Sequence, residues 1–320
     1  MKVLITGAGG FIGSTLVRAL LQSGHLGEQR VQKMAIVDHR LPDRPDFVQG
    51  IEGDLCDART QQQIADFAPD VCFHLAALPG GAAEADPAAS RRVNLEATLD
   101  LFDTLAGRVP GTKPPVLVYA STIAVYGLPL PDPVTPSTPT RPPLVYGAHK
   151  LACEILLADY TRRGLLDGRS LRLPGIVARP RAPSGLVSAF MSEVLHAIAA
   201  GQSFVCPVGP DASSWWMSAL CCAENLMHGA VMDPTCDPEG CTSRAWPLPV
   251  IRLSMAKVVQ TASQMYGVDG EALVRYAPQP EVEAVFGRYP VLDDARSRLL
   301  GLRDDGSPEA LVCRALAPFA

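Results

Sequence analysis

The sequence predicts an α/β fold, a doubly wound parallel sheet followed by a smaller C-terminal lobe, over 320 residues. Three observations carry that expectation. Short apolar β runs alternate with helical stretches through the first half. A glycine-rich turn joins the first run to the first helix, and further on the alternation gives way to proline-rich, irregular sequence. Strands that alternate with helices imply right-handed βαβ units whose sheet is covered on both faces.

Taken in order, Lys2–Ile5 reads as a strand, Phe11–Gly24 as an amphipathic helix and Met34–Asp38 as the second strand. A turn at Gly53-Asp54-Leu55 follows a short β run, and Gln61–Phe67 reads as a helix. Val71–Ala76 is a strand, Ala89–Leu105 a helix, Val116–Ala120 a strand, Leu144–Tyr160 a helix and Ser170–Leu173 a short strand. The β runs are continuously apolar, as parallel strands buried on both faces should be. Between them, 128–143 holds seven prolines in sixteen residues and reads as a surface loop. A second loop-like stretch, 174–185, precedes a helix near 186–200. The expected division is 1–170 as a dinucleotide-binding domain and 171–320 as a substrate-binding lobe. A later segment near 219–255 is a candidate to rejoin the first domain.

Composition removes whole classes. The 48% hydrophobic content suits a packed core, and 27 glycines with 29 prolines stay below the ~25–30% share that marks low complexity. A net charge of −5 without a sustained Lys/Arg cluster argues against nucleic acid or an anionic membrane as partner. There is no apolar run of the roughly 18 residues a transmembrane helix needs. Nine scattered cysteines and no secretory leader point to reduced thiols in the cytoplasm. Cys236 and Cys241 lack a second ligand pair, so no metal is expected.

The residues with chemistry begin at Thr6-Gly7-Ala8-Gly9-Gly10-Phe11-Ile12-Gly13. Gly7 supplies the tight turn, Gly10 lets backbone approach a pyrophosphate, and Gly13 lets helix and sheet pack closely. The helix N-terminus then holds the anion, which makes the predicted sheet a Rossmann-type dinucleotide binder. Asp38 closes the second strand about 25 residues later, where a carboxylate accepts from ribose hydroxyls and repels a 2′-phosphate. NAD is therefore the expected cofactor, although His39 and Arg40 would tolerate the phosphate of NADP. Ser121 and Thr122 end another strand. Tyr146 and Lys150 stand at i and i+4 on one helix face, where a lysine ammonium would lower the tyrosine pKa toward a useful value.

With these motifs together, the chain resembles the extended short-chain dehydrogenase/reductase family, in its epimerase/dehydratase-like branch, over most of its length. Thr6 to Gly13 corresponds to the family's TGxxGxxG, which brings Phe11 and Ile12 to the cofactor. Gly53-Asp54-Leu55 is similar to its adenine-contacting acidic turn. His74-Leu75-Ala76-Ala77 is similar to its strand-four motif, and Val93-Asn94 to the helix beyond. Ser121-Thr122 through Gly127 resembles the hydroxyl motif in which the residue at Thr122 contacts the reacting oxygen. Tyr146 and Lys150 fall on the catalytic pair, and the turn at Pro174 on the border of the nicotinamide.

The resemblance implies NAD-linked oxidation by a Thr/Ser-Tyr-Lys mechanism. The motifs at 172–180, 184–186 and 214–218 narrow this to enzymes acting on a hydroxyl of a four-carbon sugar acid. Arg179 is then the candidate clamp for a substrate carboxylate, Ser184 a contact for sugar hydroxyls and Trp215 the wall behind them, with Ser121, Thr122 and Tyr146 also facing substrate and Ser121, Tyr146 and Lys150 also contacting the cofactor. Sugar-nucleotide dehydratases carry Asp-Glu after the catalytic threonine; here Ile123 and Ala124 stand there, which argues against dehydration. The alternatives are a sugar-nucleotide epimerase or uronate-type sugar dehydrogenase, and more remotely a non-catalytic dinucleotide sensor. The helices at 89–105 and 144–160 correspond to the family's dimer bundle, so a homodimer is implied.

Overall fold

In the computed structural model, residues 1–107, 112–181, 187–237 and 242–317 are described. Seven strands build the large sheet: β1 (Lys2–Thr6), β2 (Lys33–Asp38), β3 (Val48–Glu52), β4 (Val71–His74), β5 (Val116–Thr122), β6 (Asp167–Leu173) and β7 (Ala245–Pro247). Their order is β7-β6-β5-β4-β1-β2-β3, and every pairing is parallel.

Strand side chains alternate between faces, and that alternation divides the core. Val3 and Ile5 of β1 face one layer, with Leu16, Val17 and Leu20 of α1 (Phe11–Ser23). Leu4 faces the other, with Ile64 and Phe67 of α2 (Ala58–Phe67) and Leu101 and Phe102 of α3 (Ala97–Ala106). Cys153 and Leu157 of α4 (Val145–Arg162) complete that second layer.

The helix expected over 89–105 is three pieces. Pro87–Ser90 is capped by Asp86, whose carboxylate accepts from Ala89 N; Arg91–Glu96 is a π turn, and α3 follows. The strand expected to reach Ala76 ends at His74, and β6 starts at Asp167 rather than Ser170, running across residue 170.

After β6, Pro174 lacks the N–H a ladder requires, and the chain leaves the large sheet. Gly175–Val177 pairs in parallel with Ser213–Ser218, which pairs antiparallel with Ile251–Ser254. Around this small sheet α5 (Phe190–Ala199) packs on a second core with Val258, Val259 and Ala262. The chain returns to the large sheet through α6 (Ala219–Val231), which packs on α1, and through β7 at the edge. Residues 251–254 belong to the small sheet instead. Among the described residues no helix is long and apolar enough to cross a membrane.

Candidate active site

A cleft of about 360 Å³ opens at the C-terminal ends of β1, β4, β5 and β6, where the strand order reverses. Ligands of open α/β sheets bind at such a crevice. Gly7, Gly10, Phe11, Ile12 and Gly13 line one side; Leu75 and Ala77, Ser121 and Thr122, Tyr146 and Lys150, and Pro174 and Arg179 line the rest.

The glycine turn fits a dinucleotide. Gly7 has φ +70°, and a Cβ there would lie 2.6 Å from the backbone N of Ala76. On Gly13 a Cβ would sit 2.0 Å from the Gly7 carbonyl. Only a backbone without side chains closes this tightly, and α1 begins at Phe11 with Gly10 as its N-cap and no side-chain cap. Its first N–H groups are left for an anion.

Asp38 lies at the rim, its Oδ2 accepting from Gly9 N at 2.8 Å, which ties the end of β2 to the glycine turn. Beyond β3, Asp54 Oδ1 accepts from Cys56 N at 2.9 Å. Burial pushes the Asp54 carboxyl up, but the Cys56 hydrogen bonds and the charges of His39 and Arg92 outweigh it and hold it below the usual carboxylate range. The side chain of Leu55 turns into the core. Asn94, 1% exposed, receives Leu78 N on Oδ1 at 2.7 Å and donates to Leu78 O at 2.9 Å and to Ser90 Oγ at 3.0 Å. Both amide protons of Asn94 are thus taken within the protein, by the loop after β4 and by Ser90. Ala76 packs under Gly7.

At the Tyr146 end of the cleft, Lys150 is 2% exposed and donates to Ala120 O at 2.9 Å. Its Nζ lies 4.6 Å from the Tyr119 ring centroid and 5.8 Å from that of Tyr146. Desolvation draws the Lys150 pKa down to about 8. Burial pushes the Tyr146 phenol up to about 12, and the charge that pulls it back is Arg179. Thr122 Oγ1 accepts from Ala124 N at 3.1 Å and caps a short 3₁₀ turn.

Arg179 reaches the cleft from the small-sheet side, with Cζ 5.2 Å from the Phe11 ring centroid. Among the described residues it has no carboxylate partner, and desolvation lowers its pKa. Trp215 does not form the cleft wall. It is 1% exposed, packs edge-on against Tyr289 and donates from Nε1 to Pro290 O at 2.8 Å, because its strand turns it into the interior. Ser184 lies outside the described residues, as does Cys241.

Sequence reasoning missed the group behind the hydroxyls. Ser121 donates to Glu154, and Glu154 is paired with Arg172 at 2.7 Å. Glu154 stands four residues after Lys150 on the same helix face, which was a legible signal. Ser192 and His196 were also missed; they hold the Arg179 backbone. His74 is structural: Nδ1 and Nε2 bond to the hydroxyls of Thr6 and Thr98, and burial pushes its pKa down to about 3.

A sheet of this order with a glycine turn at its switch point defines a dinucleotide-binding enzyme of the short-chain dehydrogenase type. The model of the NAD dependent epimerase/dehydratase family matches residues 3–216, and the chain belongs to that family. It is 34% identical to a D-erythronate dehydrogenase of Cupriavidus necator, over 98% of this chain and 97% of that protein. A D-erythronate dehydrogenase of Haemophilus influenzae is 28% identical over 98% of each. Among solved structures, a nucleoside-diphosphate-sugar epimerase from Agrobacterium tumefaciens superposes with a TM-score of 0.90 at 32% identity, covering 98% of this chain and 92% of that one.

Proposed function

We propose that the protein is an NAD-dependent dehydrogenase that oxidises a hydroxyl of a small sugar acid, with D-erythronate giving its 2-oxo acid as the leading substrate. The observation that carries this reading is Arg179. Its guanidinium shares the cleft with Tyr146 and has no carboxylate partner among the described residues. A guanidinium fork without an acid of its own suits a ligand carboxylate bidentately. The two D-erythronate dehydrogenases that match nearly the whole chain support the choice of acid.

NAD, when bound, supplies the acceptor for the hydride that leaves the carbinol carbon. The glycine turn and the α1 N-terminus would hold its pyrophosphate, and Asp38 its ribose, while Asp54 and Leu75 to Ala77 border the rest. Tyr146, as phenolate, takes the proton of the substrate hydroxyl. Thr122 donates its O–H to the same oxygen, and Lys150 supplies positive charge near the phenol. In this reading the large sheet serves the cofactor and the small-sheet side serves the substrate. The α4 face carrying Ile155, 62% exposed, and Leu156, 36% exposed, supports a homodimer.

A panel of aldonic and uronic acids with NAD, read by NADH absorbance, tests the reading. Free NADH accumulating with D-erythronate is the expected result. Interconversion of a nucleotide sugar without NADH release overturns it in favour of an epimerase.

A further inference from the structure

Two neighbouring hydroxyls at the end of β5 are held in opposite hydrogen-bonding senses. Ser121 Oγ donates to Glu154 Oε1. Glu154 is 2% exposed, and its carboxylate also receives Arg172 Nε at 3.0 and 3.3 Å and Nη2 at 2.7 Å. A carboxylate paired in this way only accepts, and a guanidinium only donates. The Ser121 proton is therefore committed to the interior, and Ser121, a cleft-lining residue 2% exposed, has only lone pairs left to offer a ligand. Thr122 is the reverse. Its oxygen accepts from Ala124 N, and among the described residues its O–H has no protein acceptor.

We propose that Glu154 is a positioning residue that makes Ser121 a dedicated hydrogen-bond acceptor in the cleft, and that Ser121 receives a substrate hydroxyl adjacent to the carbon being oxidised. The identity of that hydroxyl rests on the sugar-acid reading; the polarity of Ser121 does not. Tyr146, Lys150 and Glu154 follow at four-residue intervals on α4, so one helix face carries the phenol, the ammonium and the carboxylate. Arg172 takes up the Glu154 charge one turn from Lys150, and the Lys150 ammonium goes to Ala120 O instead. Arg172 is held in turn, with Nη1 3.1 Å from the Tyr126 hydroxyl. With Thr122 donating and Ser121 accepting, the site distinguishes an oxygen that needs a proton from one that offers one. A substrate lacking the second hydroxyl leaves the Ser121 lone pairs unmet, which is how a polar site rejects a deoxy analogue.

The test is Glu154→Gln. Because Arg172 can only donate, the amide oxygen turns toward it and the amide NH₂ faces Ser121. Ser121 must then accept, and its O–H swings into the cleft. The substrate pair is D-erythronate and 2,4-dihydroxybutanoate, which lacks the 3-hydroxyl. Wild type should favour D-erythronate in kcat/KM by about tenfold or more, the worth of one well-placed hydrogen bond. That preference should collapse in Glu154→Gln while the Kd for NAD holds. Ser121→Ala should lose the preference too; it keeps the Arg172–Glu154 pair, and so covers the case in which the glutamine variant fails to fold. Neutron diffraction from deuterium-exchanged crystals reads the polarity without turnover, with the Ser121 deuteron expected toward Glu154. A wild-type deuteron pointing into the cleft overturns the role of Glu154. An unchanged preference in Ser121→Ala, or a loss of NAD affinity in its place, overturns the substrate-hydroxyl assignment. If wild type oxidises neither acid, the sugar-acid reading and the hydroxyl assigned from it fall together, and the neutron result alone decides the role of Glu154.

Discussion

The guanidinium of Arg179 stands over the ring of Phe11, 5.2 Å from Cζ to the centroid. Phe11 opens α1 at the glycine turn, and Arg179 follows the strand Gly175–Val177, so the contact joins the two sides of the cleft. The Arg179 backbone is pinned as well, its N–H donating to Ser192 Oγ at 2.9 Å and its carbonyl bonded to His196 Nε2 at 2.8 Å. A cation over an aromatic face leaves its in-plane N–H groups for another partner.

Arg179→Lys keeps the charge and loses the fork. Steady-state kinetics should show KM for D-erythronate rising about tenfold or more, as expected when a charge-assisted bidentate contact is lost. NAD binding and any slow oxidation of a neutral polyol should hardly change. An unchanged aldonate KM, or an equal loss on both substrates, would show that no carboxylate is clamped there.

On the proposed mechanism Tyr146 takes the substrate proton, so Tyr146→Phe removes that group while the proposed cofactor contacts elsewhere stay in place. Turnover should fall by at least ~10²-fold, the usual contribution of a positioned acid–base group. The Kd for NAD should stay within about twofold, since the proposal puts its main contacts at the glycine turn and Asp38. A variant retaining a tenth of the wild-type rate would remove Tyr146 from the chemistry.

Asp38→Ala should weaken NAD and raise the relative preference for NADP. The carboxylate accepts from Gly9 N with one oxygen, leaving Oδ1 for a ribose hydroxyl and a negative charge against a 2′-phosphate. Kd values for both cofactors measure this directly. If their ratio is the same in variant and wild type, Asp38 does not select the cofactor.

Lys150 gives stability a pH dependence of defined sign. Desolvation lowers its folded-state pKa from 10.5 to about 8. Across that window the folded protein has released a proton that the unfolded chain still holds, so this group's contribution to stability rises with pH. Below it both states are protonated, and burying the ammonium carries its full cost. Tyr146, pushed up from 10.0 to about 12, acts in the opposite sense above its ordinary value. Lys150→Met isolates the first effect, because Tyr146 remains in both proteins. The melting temperature of wild type minus that of the variant should increase from neutral pH toward pH 10; a constant difference would contradict the buried-lysine assignment.

Six strands of the large sheet, the glycine turn and the Tyr146–Lys150 spacing were legible in the sequence, because each depends on neighbours within a few residues; the edge strand Ala245–Pro247 was not. A strand buried on both faces is apolar throughout, a turn at φ +70° is a glycine, and two residues four apart share a helix face. Tertiary structure decided the rest. Trp215, read as a cleft wall, is turned inward onto Tyr289 by a strand pairing with Ile251–Ser254, a partner more than thirty residues away. The Asn94 amide donates to Leu78 O and Ser90 Oγ, and the Leu78 partner lies sixteen residues away. Ser121, Glu154 and Arg172 meet only because β5, α4 and β6 pack side by side. A charge that opposes the rise in the Tyr146 pKa comes from Arg179, across the cleft. Local spacing determines which groups are available. The direction a hydroxyl donates and the charge a phenol meets depend on distances that only the folded chain creates.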